Sequence, residues 1–238
     1  MRLRSSATVL IISTMLGATA VAQPAAAAPP ALIARYSFDG RDRAGDDSGN
    51  GHTMRLFTRR GGTVRLVEHG SGQGMQFPAK CRGARCPHAV LQSPHSAQLN
   101  PGIRDVEFGA TVRLSHDQTS HGQNVVQKGY SATSSQYKLQ IDGRAGRPSC
   151  VLVDVRRPGI QQVTSSVSVA DGVWHTVSCR RQGAALRILV DYRVRGLARI
   201  PADLVLANNH PLSIGGKGTY FDNDQYRGAV DDVFVRIG

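Results

Sequence analysis

The stretch that most limits what this chain can fold into is YRGAVDDVFV, residues 226–235, close to the C-terminus. Its apolar residues recur with period two, the mark of a β-strand. Read strictly, the alternation sends Val230 and Phe234 to one side and Val233 and Val235 to the other. Both sides then carry apolar groups, so the strand belongs inside a layered sheet rather than on its skin. Asp231 and Asp232 sit in its middle, and on a regular pleat adjacent residues face opposite ways. One of the two carboxylates is therefore expected to point at packed protein. A buried carboxylate without a partner costs roughly several kcal/mol, so a cation, hydrogen-bond donors or a metal ion must meet it.

The rest of the chain repeats the strand theme. No long run places apolar residues at three- and four-residue spacing. Short runs of Val, Ile, Leu and Tyr recur roughly every 8–15 residues, separated by Gly, Ser, Asn, Asp and Pro, the pattern of an antiparallel sandwich or jelly roll. Strands are expected at 32–38, 54–58, 63–67, 74–77, 89–91, 107–114, 124–128, 137–141, 149–155, 160–165, 174–180, 186–190, 212–214 and at the closing stretch. Gly61-Gly62 reads as a turn between two of them, and Asp142-Gly143 as a hairpin turn. Residues 40–51 and 215–225 are two long polar loops.

The first 28 residues read differently. Arg2 and Arg4 precede an apolar run over 7–20 that is too short to span a bilayer, and small residues follow. This is the pattern of a secretory signal peptide, residues 1–28, with cleavage expected between Ala22 and Pro30. Residues 29–238 then form one β domain, secreted and extracellular, with no transmembrane segment. The formal net charge of +12 falls to about +10 once Arg2 and Arg4 are removed. An anionic partner would explain the excess, but so would arginine-rich codon usage. The arginines occur singly or in pairs such as Arg59/Arg60, Arg156/Arg157 and Arg180/Arg181, which favours codon usage. Specific nucleic-acid binding is not expected, because aromatic residues are not interleaved with the basic ones.

Four cysteines, Cys81, Cys86, Cys150 and Cys179, read as two disulfides in an exported chain. Three connectivities are open. The favoured one closes the KCRGARC loop with Cys81–Cys86 and staples two strands with Cys150–Cys179. A zinc site is disfavoured, since no CxxC word is present.

Three stretches now fall in order: RYSFDG and DDSGNGH within 35–52, DGVWHTVSCRR at 171–181, and LSIGG followed by YRGAVDDVFV within 212–235. Together they resemble the laminin-G-like, concanavalin A-like lectin/glucanase jelly rolls of bacterial secreted proteins, over essentially all of residues 29–238. The resemblance implies an all-β fold, a two-sheet antiparallel jelly-roll sandwich whose first and last strands lie side by side. It also implies one structural calcium ion near those strands, held by Asp39, by Asn50 and Gly51, and by Asp231. Calcium takes about six to eight hard oxygens, and a Gly-rich turn lets carbonyls approach it. Pairing of Asp39 and Asp231 with arginine is the alternative. Asp46 and Asp47 read as solvated turn residues, Trp174 as a core anchor, and His175 as an exposed residue on the opposite face.

Catalysis finds little support in the residues. Glucanases of this fold carry paired carboxylates on one strand, about 5 Å apart in retaining enzymes. Glu68 and Glu107 are the only glutamates, and neither has a strand-mate acid; Asp105, nearest to Glu107, falls in the preceding turn. The expected function is a secreted, non-catalytic recognition module that binds carbohydrate or another extracellular polymer, such as an anionic one, through rim loops. Tyr130, Tyr220, Phe221, Asp222 and Asn223 are the candidate contacts. Aromatic rings offer faces to sugar CH groups, and amides or carboxylates hold hydroxyls. A glycoside hydrolase or lyase with a non-standard acid pair involving Glu107 is the alternative. A monomer is expected.

Overall fold

We describe residues 29–157 and 159–238 from a computed structural model; the signal-peptide reading falls on residues 1–28, outside them. Among the described residues fifteen strands form, in the order β1 (Ala31–Tyr36), β2 (Arg55–Arg59), β3 (Arg65–His69), β4 (Gly72–Gln76), β5 (His88–Gln92), β6 (Val106–Arg113), β7 (Asn124–Lys128), β8 (Gln136–Asp142), β9 (Arg147–Val153), β10 (Gln161–Thr164), β11 (Trp174–Gln182), β12 (Ala185–Val190), β13 (Arg193–Arg199), β14 (Leu212–Ile214) and β15 (Ala229–Ile237). Two single-turn 3-10 helices, Ala97–Leu99 and His116–Gln118, are the only helical segments among them.

The strands divide into two antiparallel sheets. Sheet A runs β13-β12-β11-β6-β15-β4-β3, and β1 also pairs with β15. Sheet B runs β10-β9-β8-β7-β14-β5-β2. The period-two pattern decides which residues meet between them. In β6, Val106, Phe108, Ala110 and Val112 enter the core; in β8, Tyr137, Leu139 and Ile141 do, and in β12, Leu186, Ile188 and Val190. Burying each such aliphatic or aromatic side chain contributes about 1.5–3 kcal/mol. This is the all-β, two-sheet jelly-roll sandwich, and the first and last strands pair from Ala31↔Ile237 to Tyr36↔Val233.

Both cysteine pairs form. Cys150 on β9 and Cys179 on β11 are fully buried and bridge sheet B to sheet A through the core. Cys81–Cys86 closes the connection between β4 and β5.

The Gly61-Gly62 turn forms where the sequence placed it, and it carries the chain from β2 in sheet B to β3 in sheet A. Two details depart from the sequence reading. β13 was not anticipated, because RVRGLAR is mostly exposed and its alternation is broken by charge and glycine. The closing strand carries a β-bulge between Asp231 and Phe234, with Asp232 at φ 44°. A bulge inserts one extra residue, so the alternation slips by one position. Val230, Val233, Val235 and Ile237 all face the core, whereas Phe234 turns outward with Asp232 and Arg236. Asp231 and Asp232 therefore share the outer face instead of opposing each other.

Trp174 also lies outside the core. It is partly buried on the outer face of sheet A, with its ring stacked on His69 at 4.3 Å and the Arg113 guanidinium 4.9 Å from its centre. Gly74 makes room for that ring: a β-carbon there would come within 2.8 Å of it. His175 is tied down rather than free, with Nδ1 on Asp191 at 2.8 Å and Nε2 on Asp171 at 3.1 Å.

Candidate functional site

The buried carboxylate of the closing strand is Asp231, 4% exposed. Its partner is His69, which the sequence did not single out: Nδ1 lies 2.5 Å from Asp231 Oδ2, and the Asp232 amide donates to Oδ1 at 2.6 Å. Burial pushes the Asp231 carboxyl above the ordinary carboxylate range, against the opposing pull of His69 and that amide. Asp232 pairs with Arg35 at 2.9 Å, both side chains about half exposed. His69, Asp231 and Asp232 bring their donor atoms within 4.8 Å of one another.

The structure does not gather the residues expected to hold calcium. Asp39 Oδ1 accepts the Gln73 amide at 2.7 Å. Asn50 points its NH2 at the carbonyls of Leu32 and Ile33, 3.1 and 3.0 Å away, at the opening of β1. Leu32 pairs with Arg236, five residues along β15 from Asp231, which is roughly 15 Å at 3.3 Å per residue. Gly51, next to Asn50, is equally remote. Calcium binds its oxygens at about 2.3–2.6 Å, so Asp231 and the Asn50–Gly51 turn cannot share one ion in this arrangement. As a calcium cage the set does not fit. Asp46 and Asp47 are not idle turn residues either. Asp46 accepts the amides of Arg35, Ser48 and His52, and Asp47 accepts the Ser37 amide and hydroxyl, so the two carboxylates build the loop.

A cleft of about 660 Å³ opens at one end of the sandwich. Its walls are the disulfide-closed β4–β5 connection, the segment after β6, the β8–β9 turn and the loop before β15. Phe221 and Asp222 stand exposed in it. Asn223 lines it as well but is 1% exposed and acts as a brace. His88 Nδ1 donates to its Oδ1 at 2.9 Å, and its amide donates to Gly218 O at 2.6 Å. Gln225 fixes the loop by gripping both backbone groups of Ala89, each at 2.9 Å. Burial first, and then the Arg227, Arg60 and Arg59 charges, hold His88 below the ordinary imidazole range despite its bond to Asn223.

Two other candidates sit apart from the cleft. Tyr130 donates its hydroxyl to Lys217 O at 2.9 Å and meets His210 edge-on, so its ring is braced. Tyr220 is 42% exposed on the same loop as Phe221 without lining the cleft. The cationic lining, Lys80, Arg82, Arg144 and Arg227, escaped the sequence reading because three separate segments supply it. The available signal was Arg227 itself, an arginine two residues ahead of β15.

A second groove, about 520 Å³, crosses the outer face of sheet A and holds Glu107. Its carboxylates are paired: Glu107 accepts from Arg180 and Ser178 at 3.1 Å each, and Asp232 binds Arg35. β15 sets Asp231 opposite Thr111, four residues along β6 from Glu107 and so roughly 13 Å away. Glycosidase acid pairs are spaced about 5–9.5 Å apart, so Glu107 and Asp231 do not form one.

Two stacked sheets with paired terminal strands, and loops that enclose a polar cleft at one end, define a lectin-type jelly roll. The chain belongs to the Concanavalin A-like lectin/glucanases superfamily, whose laminin G sequence pattern matches residues 107–236. Among solved structures it is similar to domain 4 of AbnA, a GH43 extracellular arabinanase from Geobacillus stearothermophilus, in complex with arabinotriose. The TM-score is 0.67 at 15% identity, covering 88% of this chain and 93% of that one. It is also similar to the binding domain of Paraclostridial Mosquitocidal Protein 1, with TM-score 0.65, 13% identity and coverage of 86% and 48%. A third similar structure is the binding domain of Botulinum Neurotoxin DC in complex with SialylT, with TM-score 0.61, 11% identity and coverage of 87% and 48%. The chain spans about half the length of those two toxin domains. No curated protein sequence matches it. Among the described residues no helix is long and apolar enough to cross a membrane.

Proposed function

We propose that this protein is an exported, non-catalytic carbohydrate-binding module that takes its saccharide in the end cleft. The observation that carries the reading is the Phe221 ring, 61% exposed beside Asp222 in a cleft whose floor is made rigid by Asn223 and Gln225. A large ring held open to solvent among hydrogen-bonding groups suits the mixed apolar and hydroxylated face of a sugar. The arabinotriose complex of the arabinanase domain and the SialylT complex of the toxin domain support carbohydrate as the ligand class. The two disulfides fit an oxidising compartment outside the cytosol.

Glycan-array screening followed by calorimetry tests this. Phe221→Ala is expected to weaken saccharide binding about tenfold, the loss of one stacking contact of roughly 1.4 kcal/mol, while the melting temperature stays put. An array that stays flat at low salt with calcium present sinks the reading. Because the carboxylates do not converge on one ion, chelation by EDTA is expected to leave both binding and melting temperature unchanged. A chelator-induced fall in either would show that these acids meet around calcium after all.

A further inference from the structure

Arg227 is 92% buried, yet no carboxylate pairs with it among the described residues. Its Nη1 donates to the carbonyls of Ala79 at 3.1 Å and Pro87 at 3.5 Å. Nε and Nη2 donate to no described residue. Arg181, the other deeply buried arginine, makes a useful contrast. It spends both terminal nitrogens on the carbonyls of Gly102, Leu204, Ile103 and Ala202, lines no cleft of comparable size, and serves as a clamp. Arg227 is half clamped and half free, and it borders the end cleft.

The surroundings favour an anion. Lys80, Arg82 and Arg144 join Arg227 on the wall, against Asp222 and Asp224, and Asp224 is already paired with Lys217. Burial alone depresses the Arg227 guanidinium; no neighbouring acid works in the other direction. Desolvated charge of this kind is costly until a counter-charge arrives. The free edge, Nε with Nη2, is the one that grips a carboxylate through two parallel N–H···O bonds.

We infer that the end cleft reads an acidic sugar, with the Arg227 Nε–Nη2 edge holding the carboxylate of a uronic-acid unit while Phe221 stacks on a neighbouring ring. This rests on the carbohydrate reading of the cleft and adds the chemical class of the ligand.

Calorimetry with a galacturonic acid oligomer and its carboxyl-reduced galactose counterpart separates the two levels. The acidic oligomer is expected to bind at least about tenfold more tightly, the scale of a charge-assisted bidentate contact. Arg227→Lys, which keeps the charge and loses the fork, is expected to remove most of that preference. Arg193→Gln, which removes one exposed charge from β13 outside the cleft, is expected to retain most of it. Equal affinity for the acidic and reduced oligomers overturns the acidic-sugar assignment and leaves the carbohydrate reading standing. Binding of neither, with binding of other glycans also absent, takes both down. A sulfated neutral oligomer that binds more tightly than the uronate would transfer the site to sulfate and overturn the carboxylate assignment. Should Arg227→Lys fail to fold, the Nε–H resonance of Arg227 in the unaltered protein decides. It is expected to move downfield on addition of galacturonate and not of galactose; an unmoved resonance overturns the role given to Arg227.

Discussion

Asp232 sits at φ 44°, where a side chain is strained and only glycine, asparagine or aspartate is at ease. That single residue creates the slip that puts both strand carboxylates on one face. Its pair with Arg35 is half exposed and worth little. Asp232→Gly is therefore expected to stay within about 1 kcal/mol of the parent, whereas Asp232→Val should lose about 2 kcal/mol or more, read by urea unfolding. Equal stabilities for the two would show that the bulge does not need this conformation. His175 gives a pH-dependent counterpart. Burial works against its charged form, but Asp191 and Asp171 outweigh burial and raise its pKa. A raised imidazole pKa contributes stability that is complete below the unfolded value of about 6.5 and is lost as pH climbs through the folded one. The melting-temperature gap between the parent and His175→Gln should be widest below about pH 6 and narrow on the alkaline side. A gap that widens with pH would reverse the assignment. At this scale the sequence was only partly legible. That Asp231 needs a partner could be argued from the desolvation of a carboxylate. That the partner is His69 could not, because a hairpin far off in the chain delivers it.

Strands and their connections were read more easily, since period-two burial leaves a local trace. The exceptions have separate causes: β13 is mostly exposed, so its trace fades, and the bulge on β15 breaks the period without any change in composition. The connection from β2 to β3 changes sheets at a glycine pair that also suits a hairpin, and nothing local distinguishes the two. The disulfide pairing was readable because the Cys81–Cys86 spacing is so short. Cys150–Cys179 joins β9 to β11 across the core and closes a span of 29 residues. Its loss frees the unfolded chain by roughly 3.5 kcal/mol. Cys150→Ala combined with Cys179→Ala should lower the melting temperature by roughly 10 °C. A shift under a couple of degrees would mean that the hydrophobic layer alone holds the sheets together.

Across the whole molecule the candidate site is the part least visible in the chain. Phe221 and Asp222 could be nominated because they stand in a long polar loop. The cleft they face needs four segments to meet, and their meeting depends on long-range register. The basic composition had seemed a matter of codon usage or of an anionic ligand, and the fold gives much of it a third place. The sheets end at β13 and β3 and at β10 and β2, and β1 leaves a further border beside β15. Arginines stand on three of these five edge strands: Arg193, Arg195 and Arg199 on β13, Arg65 on β3, and Arg55 and Arg59 on β2. An unpaired border is a template on which another copy can stack its own strand, the first step toward fibrils. Two such rims brought together would press guanidinium against guanidinium. The same arginine excess is therefore expected to oppose edge-to-edge stacking at β13, β3 and β2, whatever the cleft receives.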